Sequence, residues 1–276
     1  MPLGIVMSAP GVVFLMYHEL ESPGRPLCHT DPGYVRYVIR ASDFQAQLEL
    51  LQKEGWKGMS VGEIVGSFPQ KTVAITFDDG SESDLLAAAP ILHECGFGAT
   101  FFITAGWLGR YGFLNPSQLC ELSALGFEIG SHSMTHACLT DLDDDGLRRE
   151  LVDSKLQLEQ IIGKPVEHFS CPGGRFDSRV ARMACDAGYR TLSSSQPRAN
   201  TIAADRFSLG RVAIMRHCSL PEFRELCLKQ KLLRSRLGLH IRDTARQVLG
   251  NSNYERLRAG LLHLSRLGRS RKDRGV

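Results

Sequence analysis

The sequence predicts an α/β fold of the parallel class, with a closed barrel favoured over an open doubly wound sheet and a basic helical extension at the C-terminal end. Two observations carry the class. Short apolar, β-branched runs alternate with amphipathic helical stretches about seven times, the pattern of strands joined by helical crossovers. His18, Asp78-Asp79, His132, Pro172-Gly173-Gly174 and His217 all fall at the C-terminal ends of expected strands. Barrel enzymes build their sites on that rim. No Gly-x-Gly-x-x-Gly turn or phosphate loop follows the first strand, which counts against a nucleotide fold.

Residues 12–17 read as the first strand, ending on His18-Glu19, and residues 21–33, rich in Pro and Gly, read as a loop. Ser42-Asp43-Phe44-Gln45 has the form of a capping box opening a helix that runs to about Glu54. Ser60-Val61-Gly62-Glu63 opens a shorter one. A buried strand over 73–77 precedes an apolar helix over 83–95, closed by Gly96. A strand at 99–103, a helix at 116–125 and a strand at 127–130 follow. Residues 142–162 form a charged amphipathic helix ended by Gly163. A strand at 168–170, a helix at 177–187 closed by Gly188, and strands at 189–192 and 211–215 complete the pattern.

At 276 residues, with 43% hydrophobic and 23% charged residues, the chain can bury a substantial core, and disordered and fibrous classes are excluded. Eight scattered cysteines without a Cys-x-x-Cys pair read as reduced thiols. Residues 1–16 lack Lys and Arg and carry Pro and Gly within their apolar part, unlike a signal peptide. No apolar run is long enough to span a bilayer, so the expected location is cytoplasmic. The net charge of +3 conceals a polarity: residues 229–276 hold 13 Lys+Arg against 3 Asp+Glu, and residues 1–228 hold 20 against 27. The expected organisation is therefore a barrel domain over 1–228 and a basic helical extension over 229–276.

The chemistry concentrates where residues 73–77 run into Asp78-Asp79-Gly80. Asp-Gly is an ordinary turn dipeptide. Two acids ending a buried strand are nevertheless costly unless a cation or a proton holds them. His132 and His136, four apart, would share one face of a helical turn, as metal-binding pairs often do; surface or capping histidines are the plainer alternative. Two histidines plus one carboxylate leave positions open for water and substrate, as catalytic zinc or non-haem iron sites require. The second aspartate would then face the bound water as general base.

Thr76-Phe77-Asp78-Asp79-Gly80, followed some fifty residues later by His132-Ser133-Met134-Thr135-His136, resembles the first two motifs of the polysaccharide deacetylase (NodB-homology) family, carbohydrate esterase family four. Ala99-Thr100-Phe101-Phe102 fits the strand between them, and the likeness spans roughly residues 10–225. The resemblance implies a distorted (β/α)7 TIM-like barrel and metal-dependent removal of acetyl groups from N-acetylated sugars in a polysaccharide, oligosaccharide or lipid-linked glycan. It implies a divalent metal, zinc first, on Asp79, His132 and His136, with Asp78 as the base. The third motif departs from Arg-x-Pro-Tyr-Gly: Ser170-Cys171-Pro172-Gly173-Gly174 lacks both the arginine and the aromatic. The Gly173 N–H can still serve as oxyanion donor, since that role needs no side chain. Arg175 is the candidate replacement for the lost arginine. No aspartate-plus-tryptophan motif follows residue 190, and Met215-Arg216-His217 approximates the final Leu-x-His. His217 is therefore the candidate acid for the leaving amine, with His18 as the fallback.

Beyond residue 228, Tyr254, Leu257, Leu261 and Leu264 share a face with Arg256, Arg258 and Arg266 nearby. Helices packed on the barrel explain this pattern. The sharper reading is a basic surface for anionic membrane lipid or a lipid-linked glycan, placing the protein peripherally at a membrane. No recognition motif accompanies the charge, so no nucleic-acid partner is expected. Two rival functions share the candidate ligands: an amidase or iron oxygenase acting on another substrate, and a catalytically degenerate carbohydrate-binding module.

Overall fold

The computed structural model describes residues 11–228. Residues 1–10 and 229–276 lie outside the described residues, and with them the basic extension, its candidate membrane surface and its boundary with the barrel. The chain begins with β1 (Val12–Tyr17), β2 (Leu20–Glu21), α1 (Pro32–Val35), β3 (Ile39–Arg40), α2 (Ala41–Lys53), β4 (Lys57–Met59) and α3 (Val61–Val65). The centre of the fold is β5 (Thr72–Asp79), followed by α4 (Ala89–Cys95), β6 (Thr100–Ile103), α5 (Pro116–Ala124) and β7 (Glu128–Ser131). Then come α6 (Asp144–Arg148), α7 (Ser154–Ile162), β8 (His168–Ser170), α8 (Ser178–Asp186) and β9 (Thr191–Ser193). Two short strands, β10 (Ala199–Asn200) and β11 (Val212–Ala213), and the helix α9 (Leu220–Leu228) complete it.

Strands β1, β5, β6, β7, β8 and β9 pair in parallel in that order. Leu209 bridges Ser193 of β9, and β11, beginning three residues later, pairs with β1, so the sheet returns on itself as a seven-stave barrel. The final stave is short: of the strand expected over 211–215, only Val212 and Ala213 pair. The other barrel strands fall within about two residues of their expected positions, because apolar patterning there is set by burial on both faces.

The barrel has an inside and an outside, and strand alternation assigns residues to each. On β5, Val73, Ile75 and Phe77 pack outward against the helices with Val13, Leu15 and Tyr17 of β1. Ala74 faces the other way, into a smaller interior cluster with Val12, Phe14 and Phe102 that α3 closes from below with Val61, Ile64 and Val65. Continuing that period of two puts Thr76 and then Asp78 inside the barrel. At the bottom, the Glu128 carboxylate accepts hydrogen bonds from Thr100 Oγ1 (2.5 Å) and Gly62 N (3.1 Å), with His168 Nε2 at 3.5 Å. His168 therefore belongs to the closed end of the barrel.

Helix boundaries follow local chemistry in most places. The expected box at Ser60 and Glu63 is present in both directions, and Gly96 and Gly163 end their helices at φ +65° and +67°. The expected box at Ser42 is absent: α2 starts one residue earlier, at Ala41, and Arg40 caps it without a side-chain bond. Two helices begin irregularly, with π-turns at Asp84–Ala88 before α4 and at Arg149–Asp153 between α6 and α7. Both turns lie beside the rim that carries the chemistry, where such insertions are common. No disulfide joins the eight cysteines, all of which lie among the described residues, and no helix among these residues is long and apolar enough to cross a membrane.

Candidate active site

Adjacent strand residues face opposite sides of a sheet, so Asp78 and Asp79 could not both reach one site on a regular strand. The chain breaks the alternation at Asp79, whose φ is +83°, and again at Gly80, at +86°. A non-glycine residue in that region is strained and persists only where its surroundings hold it. Here the twist brings the Asp79 carboxylate over the barrel mouth beside Asp78, and both are buried.

Asp78 is held by an arginine that sequence reasoning did not pair with it. Arg211, fully buried just ahead of β11, donates from Nη1 to Asp78 Oδ1 and from Nη2 to Asp78 Oδ2, each at 2.7 Å. Its remaining donors are also satisfied: Nη1 reaches Thr76 Oγ1 (3.1 Å), Nη2 reaches Ser170 Oγ (2.7 Å) and Nε reaches the Ser194 carbonyl (3.1 Å). Burial alone would raise the Asp78 pKa. The Arg211 charge and, after it, His132 outweigh that effect and hold the carboxyl well below the usual range. Ser170, standing where the family's motif has arginine, leaves room for this guanidinium and bonds to it. Arg175 does not serve Asp78; its Nη1 lies 3.6 Å from Cys138 Sγ.

The histidine stretch converges differently from its spacing. Residues 132–136 form a loop, not a helical turn, with Ser133 at φ +70° and His136 at +63°. The buried Glu150 carboxylate, on the second π-turn, fixes this loop by accepting from Met134 N (2.9 Å), Thr135 N (2.8 Å) and Thr135 Oγ1 (2.6 Å). His136 N donates to Ser133 Oγ, and Ala105 N and Gly106 N donate to the carbonyls of Ser133 and Met134. His132 Nδ1 donates to the Ser170 carbonyl at 2.8 Å, which leaves the lone pair on Nε2. Burial, opposed by the aspartates and reinforced by His136, pushes the His132 pKa down to about 4, so the ring is neutral at pH 7.

The three side chains meet. Asp79 Oδ1 stands 3.6 Å from His132 Nε2 and 3.5 Å from His136 Nε2, and one ligand atom from each residue lies within 4.8 Å of the others. Ligands at about 2.0–2.2 Å from one tetrahedral ion sit roughly 3.3–3.6 Å apart. Asp79 Oδ1 is buried and has no hydrogen-bond partner, a costly arrangement for a carboxylate oxygen unless a cation meets it. Separation, orphaned oxygen and fixed tautomer all fit a divalent ion held by an N/N/O donor set.

The other expected residues divide. His18, at the end of β1, is half-buried, stacks on Tyr37 at 4.8 Å and leaves Nδ1 buried without a partner. It lies close enough to Asp78 for its charge to help lower that carboxyl's pKa. His217 is exposed in the turn after β11, and among the described residues no hydrogen bond or ion pair ties it to the acids. The short last stave ends before it can carry His217 over the mouth. Gly173 is exposed on the turn after β8, at φ +62°.

Residues 66–192 match the family model described as polysaccharide deacetylase. The chain is similar to that family over this central segment, just under half its length, which contains Asp78, Asp79, His132 and His136. YxkH of Bacillus subtilis, assigned by name to the polysaccharide deacetylases, is 27% identical over 206 residues, covering 72% of this chain and 70% of its own. A peptidoglycan-N-acetylglucosamine deacetylase of Bacillus cereus is 32% identical over 124 residues, 45% of this chain and 56% of its own. The crystal structure of BC0361, a polysaccharide deacetylase from Bacillus cereus, superposes with a TM-score of 0.69 at 25% identity, over 78% of this chain and 68% of that one.

Replacing Arg211 by Met should leave Asp78 buried and unpaired, at a cost of about 3–5 kcal/mol in urea unfolding. Arg211→Lys should recover only part of this, because an ammonium cannot make the two-pronged contact; a loss below about 1 kcal/mol for Met would contradict the pairing. His132 sets a second expectation. In the unfolded chain an imidazole protonates near pH 6.5, whereas folded His132 waits until about pH 4. Its contribution to the stability of chelated protein is therefore complete above about pH 6.5 and lost as pH falls toward 4. His132→Phe should flatten that part of the stability–pH curve; an unchanged slope would count against a buried neutral ring.

Proposed function

We propose that this chain is a metal-dependent hydrolase that removes N-acetyl groups from N-acetylated sugars of a glycan, using zinc on Asp79, His132 and His136. The observation that carries the reading is one buried carboxylate oxygen without a hydrogen bond, flanked at 3.5 and 3.6 Å by two imidazole nitrogens. The two-imidazole, one-carboxylate set supports zinc, which takes such ligands and keeps a position open in catalytic sites. Similarity to the deacetylase family over residues 66–192 supports an acetamido sugar as substrate.

When bound, the ion supplies Lewis acidity, polarising the acetyl carbonyl and acidifying water. The protein's own residues do the rest. Asp78, ionised at any working pH by Arg211, accepts the proton of the attacking water through a carboxylate whose Oδ2 is 3.9 Å from His132 Nε2. The Gly173 N–H is the candidate donor to the developing oxyanion. His18, with an unpartnered ring nitrogen beside Asp78, is better placed than His217 to deliver a proton to the leaving amine. The fully paired Asp78–Arg211 arrangement removes the main reason for a degenerate binding module, since the altered third motif no longer leaves the base unsupported.

Acetate release from N-acetylglucosamine oligomers, read beside metal content, tests the roles. Asp78→Asn should keep about one ion per chain and lose on the order of 10²–10⁴ in kcat, whereas His132→Ala should lose both metal and turnover. His18→Asn should lower kcat far more than His217→Ala. A fully active Asp78→Asn enzyme would refute the base assignment.

A further inference from the structure

His18 and His132 are oriented by different means. The His132 ring is fixed by the hydrogen bond from Nδ1 to the Ser170 carbonyl. His18 has no such tie: its Nδ1 is buried without a partner, and among the described residues no hydrogen bond or ion pair reaches either ring nitrogen. The imidazole lies instead on the Tyr37 ring, centroids 4.8 Å apart and planes inclined by 27°. The last torsion of a histidine is broad and roughly two-fold when left to itself. A flat neighbour stacked on the ring narrows it, and so decides where the ring nitrogens point.

Tyr37 can do this because residues 22–38, between β2 and β3, are braced from two sides. Glu19, next to His18 and fully buried, accepts hydrogen bonds from Cys28 N (3.0 Å) and Tyr34 Oη (3.0 Å) and pairs with Arg25. Tyr37 N donates to the Tyr34 carbonyl (2.9 Å), which carries that anchoring one turn further along. From the other side, Arg216 N donates to the Arg36 carbonyl (2.9 Å) and Arg216 Nη1 to the Val38 carbonyl (3.3 Å). Arg216 thus grips the backbone immediately before and after Tyr37, while its Nη2 holds Glu21 Oε2 at 2.7 Å. Val38 and Ile39 then enter the core.

We propose that Tyr37 is a positioning residue for the reaction: its ring, gripped through Arg216 and Glu19, holds the His18 imidazole aimed at the leaving nitrogen. The inference rests on the deacetylase reading with His18 as the acid, and goes beyond it in assigning what makes that acid competent. As the C–N bond breaks, its electron pair goes to nitrogen and takes up the proton from a His18 ring N–H. The products are acetate and the free amine, and Asp78 keeps the proton taken from water. A swivelling imidazole would spend much of its time with that N–H misdirected, which lowers turnover without weakening substrate binding. In Met215-Arg216-His217 the residue that serves the mouth is therefore Arg216, acting through the backbone around Tyr37.

The test compares two substrates on the full zinc-loaded chain: the N-acetylglucosamine pentamer, whose amine needs a proton to leave, and 4-nitrophenyl acetate, whose nitrophenolate does not. Tyr37→Ala should lower kcat on the pentamer about tenfold with little change in KM. The ratio of kcat on the amide to kcat on the ester should fall by a similar factor. Tyr37→Phe, which keeps the ring, should restore it, and Tyr37→Leu, which fills the space without a flat face, should not. In a His18→Asn background Tyr37→Ala should cost nothing further. Equal losses on both substrates, or additive losses in the double variant, would overturn the assignment. A second readout needs no turnover: the His18 ring protons, assigned from their absence in His18→Asn, should move downfield in Tyr37→Leu as the Tyr37 ring current is lost. Unmoved signals would overturn the stack. A parent that releases no acetate defeats the hydrolase reading, and the ring-current shift then still decides whether Tyr37 holds His18.

Discussion

Two carboxylates at the end of one buried strand are the constraint around which this molecule is organised. Each would cost several kcal/mol to bury unpaired, and the chain handles them by different means. Asp78 follows the inward register of β5 and receives a two-pronged guanidinium from Arg211. Asp79 is turned out of register by its positive φ and left with a buried oxygen that has no hydrogen-bond partner. The same adjacency that makes the sequence unfavourable as a strand end suits a metal site, because one acid would stay ionised beside a bound ion while the other would hold it.

The rim is arranged around that division. Ser170 occupies the position where the family's third motif has arginine, and it supports the substitute: its hydroxyl accepts from Arg211 and its carbonyl fixes the tautomer of His132. One small residue therefore links the Asp78–Arg211 pair to His132. The second imidazole is set from elsewhere, by a loop whose backbone hangs on Glu150 and whose outer face rests on Trp107. The second π-turn carries Glu150, which ties that irregular helix to the placement of His136.

Much of this was legible from the residues. The barrel strands and the pairing of Asp78-Asp79 with His132 and His136 follow from apolar runs that stop on polar residues at one end. What was not legible depends on contacts distant in the chain. Arg211 lies 133 positions from Asp78, and no local pattern joins them; the available signal was a lone arginine opening an otherwise apolar strand, in a chain whose third motif lacked one. Spacing alone read His132 and His136 as a helical turn, whereas Glu150 and two left-handed residues hold them in a loop. His217 matched a motif by order only, and the short last stave leaves it exposed while His18 occupies the mouth. Arg175 failed as the substitute because sequence adjacency to the motif does not supply the inward direction that a barrel strand does.

The central claim is that one divalent ion, held jointly by Asp79, His132 and His136, makes this barrel a hydrolase. It is tested most directly by titrating metal-stripped protein with Zn²⁺ while following acetate release from an N-acetylglucosamine pentamer. The account predicts saturation at one ion per chain, activity proportional to occupancy, and loss of both in Asp79→Ala. Undiminished acetate release from fully stripped protein, or unaltered zinc stoichiometry in Asp79→Ala, would contradict it.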